Sequence, residues 1–156
     1  MENKERNKKI LEITCELLDK MNFAVDNAYA EDVEEEEGQV LVGLTVDNPA
    51  GLIGFRGRNL ASIQLILGLI VKNKLGEWVR ILLDVNNYRQ EQKERLVSMV
   101  KNLAQKVMAT GSAVEMANMS SYERRLCHMA VADMPEITTE SEGEGENRHI
   151  VIRLKN

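Results

Sequence analysis

Two glycines three residues apart, Gly54 and Gly57, restrict what this chain can fold into more than any other feature. The string Leu52-Ile53-Gly54-Phe55-Arg56-Gly57-Arg58 sets a loop with a basic interior between two helical segments. The first is a short turn near residues 50–53. The second is amphipathic, with Leu60, Ile63, Leu67 and Ile70 recurring at i, i+3, i+7 and i+10, and Asn59 is the expected N-cap. Glycines at this spacing let the main chain approach a ligand with no Cβ in the way. Arg56 and Arg58 add charge, and the helix start that follows offers free N–H groups to an anion.

Around the loop, the pattern predicts a compact mixed unit. Ile10, Leu11, Thr14, Leu17, Leu18 and Met21 form one stripe of a helix over residues 4–22. A weaker strand is expected over 23–30, then a solvated acidic turn over 31–37. A strand over 39–46 ends at Asp47-Asn48-Pro49, and another spans 77–84. After Asn86-Asn87, a long helix over 88–109 turns Leu96, Val100, Leu103 and Val107 inward and stops at Thr110-Gly111. A second unit follows. It has a short strand near 113–116, a helix opened by the capping box Ser120-x-x-Glu123, an acidic loop over 140–146 and a final strand over 148–154.

The formal net charge of −5 hides an asymmetry. Residues 1–49 carry 5 Lys/Arg against 13 Asp/Glu, residues 50–130 carry 12 against 6, and residues 131–156 carry 3 against 6. The middle is therefore net basic, and it holds both the glycine loop and a second string, Tyr122-Glu123-Arg124-Arg125-Leu126-Cys127-His128. On a helix advancing 100° per residue, Tyr122, Leu126 and Met129 are expected to face inward. Ser121, Arg124, Arg125 and His128 would gather on the exposed side, where Arg124 and His128, four apart, can hold a phosphate together.

The glycine loop lacks the Lys-Ser/Thr of a P-loop, and no G-x-G-x-x-G opens a dinucleotide fold. Its setting resembles the KH domain in the bacterial-type order helix-strand-strand-helix-helix-strand. That family clamps the backbone of about four single-stranded nucleotides with its Gly-x-x-Gly loop and receives their bases in an apolar groove. The resemblance makes Gly54, Phe55, Arg56 and Gly57 the clamp, with Arg58 beside it, and Ile53, Leu60 and Ile63 the groove floor.

The second string, with Met119-Ser120-Ser121 before it and Thr139-Glu140-Ser141-Glu142-Gly143 after it, resembles the small Arg-x-x-x-His domain, a single-strand nucleic-acid module. Both modules in this order, joined by Asp84-Val85-Asn86-Asn87-Tyr88-Arg89, resemble the Jag (KhpB) family of bacterial RNA-binding proteins. Members commonly carry a further N-terminal domain, whereas this sequence starts at the KH unit. The resemblance implies an α+β chain with a KH domain over 1–86 and an Arg-x-x-x-His domain, linking helix included, over 87–156. Single-stranded RNA is the expected partner, with single-stranded DNA a further candidate and a second KH protein an implied one.

Other chemistry has little support in the sequence. No apolar run nears the ~18 residues needed to span a bilayer, and the N-terminus enters an amphipathic pattern instead of a signal peptide's apolar core. A cytoplasmic protein without membrane insertion is expected. Cys15 and Cys127 lie in different halves and read as free thiols. Cys127 and His128 point ~100° apart on a helix, so neither a metal site nor a cofactor is expected, and no nucleophile is paired with a base. The expectation is a non-catalytic RNA-binding regulator or RNA chaperone. The alternative is a protein–protein adaptor recruited through the acidic segments.

Overall fold

The computed structural model describes residues 3–34 and 36–156, so Met1, Glu2 and Glu35 of the expected acidic turn lie outside it. The chain divides into two compact units, Met1–Arg89 and Gln90–Asn156, both α+β.

Unit 1 contains helix α1 (Asn3–Lys20), strands β1 (Asn27–Asp32) and β2 (Gln39–Thr45), helices α2 (Ala50–Ile53) and α3 (Arg58–Leu75), and strand β3 (Arg80–Val85). The sheet order is β1-β2-β3, with β1 antiparallel and β3 parallel to the central β2. A parallel pair needs a crossover, and α2, the glycine loop and α3 provide it. Val40, Val42 and Leu44 of β2 and Ile81, Leu83 and Val85 of β3 point into a core shared with Ile10, Ile13 and Leu18 of α1 and Leu60, Ile63, Leu67 and Val71 of α3.

The first strand begins later than expected. Helix α1 ends in a Schellman motif: Asn22 takes φ 60°, its N–H donates to Asp19 O, and the Phe23 N–H donates to Leu18 O, both at 2.9 Å. Phe23 and Val25 are thus packing residues beyond the helix. Glu31 and Asp32, expected in the acidic turn, are in β1 opposite Leu41 and Val40, and Asp32 is ion-paired with Arg6. Pairing with β2 and a nearby guanidinium outweigh the low strand propensity of acidic residues.

Unit 2 contains most of helix α4 (Tyr88–Thr110), strand β4 (Val114–Glu115), helix α5 (Ser121–Ala130), and strands β5 (Ile137–Glu142) and β6 (His149–Leu154). Its sheet is antiparallel in the order β4-β6-β5. Val100, Ala104 and Val107 of α4 and Cys127 of α5 close the core over Ile137, Ile150 and Ile152. Gly111 stops α4 with φ 73° and an N–H to Val107 O at 2.8 Å.

Strand β5 corrects the expectation of an acidic loop over 140–146. Ile137-Thr138-Thr139 starts the strand with β-branched residues, and Glu140 and Glu142 continue it because Arg153 on β6 lies at 4.0 Å from the first and 2.5 Å from the second.

Candidate nucleic-acid interface

The glycine loop is a single 3-10 turn over Phe55–Gly57. Three of its four residues have positive φ: Gly54 at 70°, Arg56 at 54° and Gly57 at 77°. Gly54 combines φ 70° with ψ −174°, a region open essentially to glycine alone. A Cβ there would sit 2.5 Å from Asn59 Cγ. Asn59 is not the expected cap: Gly57 occupies the N-cap position without a side-chain bond, and α3 already begins at Arg58. The Asn59 side chain reaches back instead, its Nδ2 donating to Gly51 O at 2.9 Å and bracing the loop against α2.

From the other side, the Tyr88 ring lies under Gly57, where a Cβ would meet Cε1 at 3.1 Å. Tyr88 is the last but one residue of the joining string, and the polar members Asp84, Asn86 and Arg89 of that string each have a structural partner. Asp84 Oδ1 accepts the Arg89 N–H at 3.2 Å. Asn86 brackets Val46, accepting its N–H and donating to its C=O, both at 2.9 Å. Arg89 donates to Leu83 O at 3.0 Å and to Gln64 Oε1 at 2.9 Å. Asn86 and Asn87 both take left-handed φ, 50° and 57°, a conformation asparagine tolerates.

On the loop itself, Phe55 is 72% exposed, and the guanidinium carbons of Arg56 and Arg58 stand 5.5 Å and 5.9 Å from its ring centroid. Ile53 is half-buried. Leu60 and Ile63 are 2% and 6% exposed, so they lie beneath the surface rather than on it. Helix α3 also exposes Leu65, Ile66 and Leu69, and Trp78 just beyond it is exposed as well.

Helix α5 opens with the capping box: Ser120 Oγ accepts the Glu123 N–H at 3.3 Å, and Glu123 Oε2 accepts the Ser120 N–H at 2.8 Å. Its orientation differs from the expected one. Cys127 is the fully buried residue of this helix, with Arg124 and His128 half-buried on its flank, while Tyr122 and Met129 are 63% and 62% exposed. Hydropathy alone turned the Tyr-Leu-Met stripe inward. The small Cys127 fits closer to the sheet than those side chains, and its rotation leaves Ser121, Arg125, Met129 and Tyr122 on the solvent side.

Both motif residues are anchored. Arg124 Nη1 donates to Met119 O at 2.7 Å, and His128 Nδ1 lies 2.6 Å from Thr139 Oγ1. Arg125 is the exposed cation of the helix. Burial, with a smaller contribution from Glu123, pushes the Cys127 thiol up to about 11. Sequence reasoning missed Asn59 and Tyr88 as loop supports and Tyr122 and Met129 as exposed neighbours of Arg125. Placing Cys127 at the centre of the inward face would have found the last two.

Residues 94–154 match the R-three-H domain family, the Arg-x-x-x-His module, in a span that includes Arg124 and His128. Over 147 residues the chain is 37% identical to a Clostridium symbiosum protein named RNA-binding protein KhpB, covering 94% of this chain and 65% of that protein. A Bacillus subtilis protein of the same name is 34% identical over 125 residues, covering 79% of this chain and 60% of that protein. The chain thus spans less than two thirds of the length of these relatives. With the α+β unit and its glycine loop on the N-terminal side of the matched Arg-x-x-x-His region, the chain belongs to the Jag (KhpB) family.

Proposed function

We propose that this chain binds single-stranded RNA, non-catalytically and in the cytoplasm, as a regulator or RNA chaperone. The observation that carries the reading is the loop at 54–57, where positive φ at Gly54, Arg56 and Gly57 turns the backbone sharply beside two arginines and an exposed Phe55 ring. A phosphate backbone would run along the loop, with Arg56 and Arg58 supplying charge and Phe55 a stacking face for a base. Ile53 would line the base-receiving surface, with Leu60 and Ile63 supporting it from below. In unit 2, Arg125 would hold a further phosphate, helped by Arg124 and His128, with Tyr122 offering a second stacking ring. The relatives' printed name, RNA-binding protein, supports the same reading. Among the described residues, no helix is long and apolar enough to cross a membrane.

Fluorescence anisotropy of labelled single-stranded RNA and DNA at two salt concentrations tests this. The doubly substituted Arg56→Ala/Arg58→Ala chain is expected to bind more weakly across sequences, and its salt slope to fall by about 0.7 for each phosphate no longer neutralised. Arg125→Ala should do the same for unit 2. Folded wild type that binds neither polymer would overturn the reading. A protein–protein adaptor is the second reading, favoured by Leu65, Ile66, Leu69 and Trp78 exposed on and beside α3. A second KH protein is the partner that the family resemblance implies for it. Co-purification that survives nuclease treatment and is lost in Leu65→Asp would support it.

A further inference from the structure

In the unit 2 sheet, Ile150 and Ile152 of β6 face the helices, so the alternation of the strand sends His149, Val151 and Arg153 to the opposite face. The ladders bring two carboxylates to that same face. Glu142 of β5 is paired with His149, and Glu115 of β4 with Val151. One ligand atom each from Glu115, Glu142 and His149 lie within 4.8 Å of one another.

The hydrogen bonding of His149 defines what it can offer there. Its Nδ1 lies 2.9 Å from the Asn147 carbonyl oxygen, which can only accept, so Nδ1 carries a proton. In the neutral ring the lone pair is then on Nε2. That atom is shut off from solvent and has no hydrogen-bond partner. A backbone carbonyl fixing one ring nitrogen so that the other presents its lone pair is the arrangement of metal-bound histidines. Glu142 is also oriented: Arg153 Nη2 holds its Oε1 at 2.5 Å, leaving Oε2 for another partner.

We propose that Glu115, Glu142 and His149 form a zinc site binding the ion through His149 Nε2 and one oxygen of each glutamate, with water in the fourth position. One imidazole and two carboxylates make a nitrogen–oxygen set suited to Zn2+ and poorly suited to the all-oxygen shells of Ca2+ and Mg2+. Metal–ligand bonds of about 2.0–2.2 Å place tetrahedral ligand atoms roughly 3.4 Å apart. The cluster therefore has to close by up to about 1.4 Å, a side-chain rotation open to the exposed Glu115. The ion would join all three strands and fasten β4, which is only two residues long, to its neighbours. Binding restricted to the folded state raises stability in proportion to the logarithm of free metal over Kd.

The test is a zinc titration of the full chain, read by long-range proton–nitrogen NMR of the imidazole rings. The sequence contains 2 histidines, so the signals are readily told apart. Without metal, His149 is expected to show the Nδ1–H tautomer. One equivalent of zinc should shift His149 Nε2, leave His128 in place and raise the thermal midpoint. Glu142→Gln and Glu115→Gln should each weaken binding at least about tenfold, whereas Cys15→Ser should leave it unchanged. A His149 signal unmoved at tenfold excess zinc would overturn the proposal, and so would wild-type affinity in both glutamine variants.

Discussion

Arg56 holds φ at 54°, a conformation that costs a residue with a Cβ roughly 1–2 kcal/mol, and it does so on the loop proposed to meet phosphate. Strain of this kind clusters at ligand clamps, which accords with the role proposed for Arg56. Arg56→Gly should therefore separate stability from binding. It relieves the strain, offset by about 0.4–1 kcal/mol of added unfolded-chain entropy, so the thermal midpoint should hold or rise while RNA affinity falls. Arg58→Gly, in the first turn of α3, should weaken binding as well but lower the midpoint by about 1 kcal/mol of stability. Calorimetry alongside anisotropy checks the opposite signs. Cys127 allows a second comparison at this scale. Its thiol is raised from 9.0 to about 11 and buried, so at pH 7.5 its thiolate fraction is about 100-fold below that of an ordinary thiol. Alkylation followed by peptide mapping should label the half-buried Cys15 first and leave Cys127 unmodified until unit 2 opens.

The exit from strand β3 depends on one side-chain amide. Asn86 brackets both backbone groups of Val46 and so continues the sheet for a residue after the main chain has turned away in left-handed φ. Asn86→Ala removes both bonds and places a Cβ residue without a compensating amide at φ 50°. A cost of about 1–3 kcal/mol is expected. For a unit of this size that is a drop of several degrees in midpoint, with β2 and β3 amides losing exchange protection together. Most of the elements were legible in the sequence because their signals are local: the Gly54–Gly57 spacing, the Ser120/Glu123 box, the Gly111 stop and the β-branched run of β2. The misplacements occurred where partners distant in sequence decide. Strand β5 needed Arg153 to accommodate Glu140 and Glu142, β1 needed Val40 and Arg6 to hold Asp32, and α5 took its rotation from the fit of Cys127 against the sheet. The loop arginines were readable from the motif, whereas the supports Asn59 and Tyr88 come from contacts that spacing does not encode. The glutamates around His149 lie on two other strands, beyond the reach of any local pattern.

Over the whole molecule, pH should act on the two units from opposite ends. Glu16, bonded first to Lys20 and then to Lys74, has its carboxyl lowered from 4.5 to about 2. A depressed carboxylate stabilises the fold above its unfolded value, and that contribution disappears as pH falls from 4.5 through about 2. The effect is modest because the pair is exposed. Cys127 works in the other direction: its buried thiol stays protonated, so stability is present below 9.0 and is lost as pH climbs toward 11. Hydrogen exchange should show the acid loss in unit 1 and the alkaline loss in unit 2, with Glu16→Gln flattening the first and Cys127→Ala the second. The strand order of unit 1 has a consequence for synthesis. Central β2 emerges with only β1 to pair, and its other edge stays open until β3 and Asn86 have followed, some forty residues later. During that interval the nascent chain presents Val40, Val42 and Leu44 on an unpaired edge, the kind of surface that recruits stray strands. A chain cut short between residues 46 and 80 would therefore be an adhesive intermediate, and one extending past residue 89 a closed unit.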